Sequence, residues 1–174
     1  MTALRRSASL ALLLLAGCSP YTTRPFYPPV TGAATAELEL EMQDATETLA
    51  AVLRSDTLPV TTVQLRDGFI ETAWFDAATK GATRRRAVGP GVVQVRAWVN
   101  PSRQGFSTII VETVYRPLAD PSRAPRDLEE QVPPDHPVGK RIEQVVSELA
   151  RLYNSEEPAA AAPAEGPPAP PPQR

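Results

Sequence analysis

Between residues 35 and 154 the apolar positions follow two periodicities, and the switches between them divide the chain into elements. Leu38, Met42, Ala45, Leu49 and Val52 recur at alternating steps of four and three, one stripe of a helix. Thr35 is placed to cap it, and Glu37 and Glu39 lie near its positive end. Pro59 requires an end before it, so the spacing predicts a first helix near 36–54. The period then changes to two around Asp67-Gly68, a type I′ turn signal. A two-residue turn there makes Arg66 face Phe69. It pairs Leu65 with Ile70, Val63 with Thr72 and Thr61 with Trp74, all on one face, and leaves Gln64, Glu71 and Ala73 on the other. Strands near 60–66 and 69–76 follow.

A second hairpin comes after the basic, glycine-rich loop 77–91. Val93, Val95, Ala97 and Val99 alternate with Gln94, Arg96 and Trp98, and residues 100–105 make the connection. The fourth strand, near 106–116, has Ile109 and Val111 as inward residues. Ile110 and Val114 lie opposite, so both of its faces have something to bury. Residues 117–137 carry six prolines and many charges and read as a long loop, with room for a turn of helix at 128–131. Asp135 and Pro137 suit a helix start, and Ile142, Val145, Val146, Leu149, Leu152 and Tyr153 form a stripe that predicts a second helix near 138–153. One antiparallel sheet and two amphipathic helices bury their apolar sides together when both helices cross the same sheet face. The expected fold is α+β, a two-layer helix-grip-like domain over 35–154. Its four-stranded antiparallel sheet has two helices on one face, in the order α-β-β-β-β-α.

The flanks read differently. Residues 155–174 hold seven prolines and six alanines and no aromatic or β-branched residue, so they cannot bury enough apolar surface to offset chain entropy. They are expected to be a disordered tail of polyproline II character. Residues 18–34 are an extended linker with four prolines between Pro20 and Pro29, and with the rings of Tyr21, Phe26 and Tyr27. Those rings either lie on the domain or fill pockets on a partner.

Residues 1–17 have Arg5 and Arg6 ahead of an apolar run, Leu10 to Ala16, that suits a signal peptide and is too short to span a bilayer. Leu15-Ala16-Gly17 then precede Cys18, the single cysteine of the chain. This segment closely resembles the lipobox of bacterial lipoproteins. The resemblance implies cleavage before Cys18, a diacylglyceryl thioether on its sulfur, and a further acyl group, of the palmitate class, on the new amine. More than one acyl chain gives stable anchoring, each buried methylene adding about 0.8 kcal/mol. Ser19 follows the cysteine, where an aspartate is associated with retention in the inner membrane. By resemblance this places the protein in the outer membrane of a bacterial envelope, facing the periplasm.

The lipobox, the aromatic and proline-rich lead and the helix–four strands–helix layout together resemble the BamC lipoproteins of the outer-membrane β-barrel assembly machine. The stretch from Asp67 to Phe75 is also similar to a Gly…Thr-x-Trp strand of small lipoproteins. In the BamC family the extended lead contacts a partner subunit, so envelope proteins are the implied partners.

Charge narrows the function further. The chain carries 18 Lys+Arg and 20 Asp+Glu, and loss of Arg5 and Arg6 leaves it more acidic, which argues against a nucleic-acid partner. A lone cysteine excludes an internal disulfide framework. His136 is the single histidine and reads as a capping-loop residue, since no second histidine or free cysteine completes a zinc set. No nucleophile elbow, phosphate loop or dinucleotide fingerprint is present. Glu71 and Glu112 are explained by alternation as solvent-facing strand positions. No catalytic residue, metal site or cofactor is expected. The candidate partner contacts are Tyr21, Phe26, Tyr27, Arg84, Arg85, Arg86 and Trp98, the last as part of an exposed patch if it faces away from the helices. The function read from the chain is a non-enzymatic envelope lipoprotein acting as an accessory or protein-binding scaffold, in outer-membrane assembly by resemblance. The alternative is a carrier holding a hydrophobic ligand between helices and sheet.

Overall fold

The computed structural model describes residues 24–83 and 88–154. The leader, Leu15, Ala16, Gly17, Cys18, Tyr21, the run Arg84-Arg85-Arg86 and the tail 155–174 lie outside the described residues. The elements are β1 (Ala34–Leu38), α1 (Met42–Ser55), β2 (Val60–Gln64), β3 (Phe69–Thr72), β4 (Phe75–Asp76), β5 (Val92–Arg103), β6 (Phe106–Tyr115), a 3₁₀ turn (Pro125–Leu128), β7 (Glu130–Gln131) and α2 (Pro137–Tyr153). All strand pairings are antiparallel. The sheet order is β1-β6-β5-β3-β2, with β4 beside β5 and β7 beside β6.

The α+β class and the two helices are as the sequence predicts, but the sheet has seven strands rather than four. The largest difference is at the start. Residues 34–38 are a strand, and the first helix begins at Met42. Leu38 fits both periodicities, as the first member of a helical stripe and the last of the alternation Ala34, Ala36, Leu38. The free edge of β6 decides between them, because pairing Ala34 with Val111 through Leu38 with Ser107 occupies backbone groups that a helix would leave open. Residues 128–131, expected as a helical turn, instead close the 3₁₀ turn and continue as β7 on the same edge of β6.

The first hairpin also departs from its expected register. Val63 pairs with Ile70 and Gln64 with Phe69, so Leu65-Arg66-Asp67-Gly68 all belong to the loop. The Asp67 N–H donates to the Gln64 carbonyl at 3.2 Å, and Gly68 follows with φ +59°. The shift is two residues, so face parity survives and Val63 and Ile70 still point inward. Gly68 is required twice over. Its φ is positive, and a Cβ there would lie 2.1 Å from the Val99 carbonyl oxygen. Further along, β3 and β4 are interrupted at Ala73-Trp74. The Thr72 hydroxyl takes over ladder bonding there, accepting from the Val95 N–H at 2.9 Å. The interruption flips parity, so Phe75 enters the core and Trp74, expected inward, lies on the opposite face.

One apolar core fills the space between helices and sheet. Leu49, Leu53, Ile70, Phe75, Val95, Val99, Ile109, Ile142 and Leu149 are at most 3% exposed. The helices run antiparallel. Arg141 near the start of α2 donates twice to Asp56 at the end of α1 (2.7 and 2.9 Å), and the Tyr153 carbonyl accepts from Glu39 ahead of α1. Helix α1 ends in a paired-bond motif, Thr57 N–H to Arg54 O and Leu58 N–H to Leu53 O, with Thr57 at φ +62° in a place that favours glycine. Among the described residues, no helix is long and apolar enough to cross a membrane.

Candidate functional site

The sheet face away from the helices carries the chemistry. Strand β5 presents Gln94, Arg96 and Trp98 there, and β6 presents Ile110, Glu112 and Val114. The sequence predicts Glu112 and Glu71 to face water. The correction is that Glu112 is fully buried and Glu71 only partly exposed, because chain from both flanks crosses this face. Residues 24–33 cover one part and the segment 116–131 another.

Beneath this cover lies an ion network of three arginines and three glutamates. Arg96, 4% exposed, donates to Glu71 (3.0 Å), Glu112 (2.9 Å) and Glu129 (2.7 Å), and to the side-chain oxygen of Gln94. Arg126 donates to both oxygens of Glu112 (2.7 and 3.1 Å) and to Glu129 (3.1 Å). Arg116 donates to the other oxygen of Glu129 at 3.0 Å and stacks over the Trp74 ring at 4.3 Å. The formal charges of these six groups cancel, and cancellation permits burial. Burial opposes the charge on Arg96, but the hydrogen bond and charge of Glu129, with Glu112, outweigh it and hold the pKa above the ordinary arginine value. Burial likewise works against ionised Glu129, but its bonds to Arg96, Arg116 and Arg126 keep the carboxyl below the ordinary range.

The lead is fastened directly to this network. Arg24 donates to the Asp67 carbonyl (3.1 Å) and to Asn100 Oδ1 (2.8 Å). The Tyr27 ring packs edge-on against Trp98 at 6.1 Å and lies 4.3 Å from the Arg126 guanidinium carbon and 5.5 Å from that of Arg96. The Pro28 carbonyl accepts from Arg126, and the Val30 N–H donates to Glu112, both at 2.8 Å. The chain then reverses through Gly32, at φ +91°, into β1. The prolines that deny this segment a ladder leave its few polar groups to be satisfied by side chains, which the network supplies.

Of the expected contact residues, Phe26, Tyr27 and Trp98 lie among the described residues. Trp98 faces away from the helices as the condition required. It is nevertheless 2% exposed, held between Tyr27 and Phe69 (5.6 Å), so the expected exposed patch is corrected to an internal aromatic contact. Tyr27 lies on the domain, whereas Phe26 points fully into solvent. His136 occupies the N-cap of α2 by position. Its ring Nε2 bonds the Pro90 carbonyl at 2.9 Å, and its side chain makes no capping bond. Tyr115 turns toward the helix side and packs on the core.

Arg24, Arg96, Arg116, Arg126 and Glu129 are residues of this face that the sequence did not single out. One signal was available. Glu112 interrupts a strand whose neighbours on the same face, Ile110 and Val114, are apolar, which is the pattern of a buried, paired charge.

A groove of about 250 Å³ opens at the β5-start end of the domain, with apolar lining from Val88, Leu118, Pro121, Pro125 and Leu128 and charged lining from Arg116, Arg123 and Asp120. Val88 and Leu118 are each 49% exposed, and Arg116 Nε is buried without a hydrogen-bond partner among the described residues. Among those residues, no group of three or more His, Cys, Asp or Glu side chains is placed to hold a metal ion. Neither known family models nor curated proteins give a match to this chain.

Proposed function

We propose that this protein is a lipid-anchored envelope lipoprotein whose α+β domain is a non-catalytic protein-binding module, with its place in the outer membrane facing the periplasm. The observation that carries the reading is the single cysteine at the end of Leu15-Ala16-Gly17-Cys18, behind a charged and then apolar leader. Two features of the domain support a binding role over a chemical one. The buried charges on its second face are compensated by one another and serve to fasten the lead. The groove beside Arg116 offers apolar walls with Arg116, Arg123 and Asp120 among its charged lining, which suits a segment of an envelope protein that carries both apolar and polar side chains; Arg84, Arg85 and Arg86 stay candidate contacts on the sequence alone. Participation in outer-membrane assembly rests on the resemblance of the lipobox and the aromatic, proline-rich lead to the BamC lipoproteins.

Intact mass of the protein isolated from a bacterial envelope tests the anchor. The expected species starts at Cys18 and carries the diacylglyceryl thioether and an amine-linked acyl chain. An intact leader or a free Cys18 thiol overturns it. A photo-crosslinker placed at Leu118 tests the groove, with a discrete adduct to one envelope protein expected. An adduct from Leu152, on the helix side, without one from Leu118 would relocate the binding surface and refute the groove.

A further inference from the structure

The lead is bound to the domain differently from the chain that follows it. None of residues 24–33 is buried, and none belongs to a strand or helix. Among the described residues, no backbone-to-backbone hydrogen bond joins 25–33 to the rest of the domain; the single one they make, Ala33 N–H to Val30 O at 3.3 Å, stays within their own turn. Side chains fasten them instead. Arg24 reaches Asp67 O and Asn100 Oδ1, the Tyr27 ring meets Trp98 and two guanidinium groups, Arg126 donates to Pro28 O, and Glu112 accepts from the Val30 N–H. From Ala34 onward the chain pairs with β6 residue for residue, and Leu38 is fully buried. The change falls beside Gly32, whose φ of +91° turns the chain.

What lies beneath the lead does not need it for charge balance. Every ion pair of the network, Arg96 with Glu71, Glu112 and Glu129, Arg126 with Glu112 and Glu129, and Arg116 with Glu129, joins two residues that follow the lead in the chain. When the lead departs these pairs remain, and water reaches groups whose burial is costly, so hydration offsets part of the loss. The bonds given up are ones water can replace, and the apolar loss centres on the contact between Tyr27 and Trp98, which keeps Phe69 on its other side. The second cover of this face is different in kind. Segment 116–131 is tied by pairing of β7 with β6, and Val132 N–H bonds Thr113 O at 3.0 Å. A segment with no buried residue, outside the ladder, belongs to the part of a fold that opens at the lowest free energy.

We infer that residues 24–33 are a strap that opens as a unit about Gly32 while the sheet, the helices and the ion network stay folded. Opening bares Trp98 and the paired charges around it. It also lengthens the chain between Cys18 and the folded domain from five residues, 19–23, to fifteen, 19–33, and so its full reach from about 20 Å to about 55 Å. That gain in reach rests on the anchor reading, whereas the opening does not, so intact mass and the following experiment fail independently. Amide exchange of the full chain is measured at pH 7 over a series of urea concentrations below the unfolding transition, where reclosing outruns exchange. The Val30 N–H, which bonds Glu112, reports the strap, and the Val99 N–H, which bonds Gly68 O, reports the sheet. Exchange at Val30 is expected to be faster and nearly independent of urea, and that at Val99 to rise steeply with it. Ile142→Val, which removes one methylene from the core, should speed Val99 about fivefold and leave Val30 unchanged. Arg24→Ala should speed Val30 about fivefold although six positions separate them, because a unit opens at both ends together. Equal urea dependence at the two amides, equal acceleration of both by Ile142→Val, or a Val30 rate unmoved by Arg24→Ala overturns the strap. Ile142→Val is a mild change and Arg24 is not buried, so the fold survives both.

Discussion

Replacing Arg96 by methionine keeps most of the side-chain volume and removes the central cation of the network. Arg96 serves Glu112, 0% exposed, and Glu129, 2% exposed by side chain, and both stay behind with only Arg126 and Arg116 to meet them. Three glutamates then face two arginines. Breaking a buried ion group by removing one partner costs about 3–5 kcal/mol, because the remaining charge is desolvated without compensation. For a fold of about 130 residues this lowers the melting temperature by roughly 10–18 °C. The sign with pH separates electrostatics from lost packing. An uncompensated buried carboxylate has its pKa raised above the unfolded value, so its penalty is largest at neutral pH and shrinks as pH falls toward the ordinary carboxylate range. The deficit of Arg96→Met should therefore be greater at pH 7.5 than at pH 5, and adding Glu112→Gln, which restores neutrality, should recover part of it. Urea unfolding followed by far-UV circular dichroism at the two pH values measures each quantity. A deficit below about 1 kcal/mol, or one equal at both pH values with no recovery in the double variant, would refute the claim that Glu112 and Glu129 are buried ionised and balanced by the arginines.

Three other outcomes follow from the same structure. Thr57→Gly should stabilise the domain by about 0.5–1 kcal/mol in denaturant unfolding, since it relieves a β-branched residue at φ +62° in the cap of α1; a loss of stability would mean the Thr57 hydroxyl matters more than the backbone. Gly68→Ala should cost more than about 3 kcal/mol or prevent folding, because the new Cβ meets the Val99 carbonyl oxygen, whose neighbouring N–H is bonded to Gly68 O at 2.7 Å; an alanine variant as stable as the parent would sink the close approach. The folded pKa of Glu129 is depressed, so its contribution is fully present above the ordinary value of 4.5 and is lost as pH falls from there through the lowered value. The protection factor of the Val30 amide, taken against its intrinsic exchange rate at each pH, should accordingly fall below pH 4.5, before global unfolding, and an unaltered protection factor there would show that the lead is held independently of Glu129.

Much of the helical part was legible. The second helix, predicted near 138–153, runs from Pro137 to Tyr153, because proline at the first position and a stripe from Ile142 to Leu149 leave one solution. The alternation Val93, Val95, Ala97, Val99 marked the core face of β5, and all four are at most 1% exposed. Around Asp67-Gly68 the sequence located the turn and the inward face but not the loop length. A two-residue slip preserves parity and is invisible to a pattern of period two.

What the sequence determined by itself is local: helix stripes, strand alternation and turn sites. Tertiary structure alone decided the assignments that depend on a neighbour. Residues 34–38 satisfied helix and strand patterns alike until the edge of β6 required a partner. Glu112 and Arg96 had polar side chains on an outward face, which reads as solvated. They are buried because Tyr27, Pro28 and Val30, more than sixty residues earlier, fold back over them. Burial of a charge is a property of whatever covers it, and that cover comes from distant parts of the chain that no local pattern of hydrophobic and polar residues records.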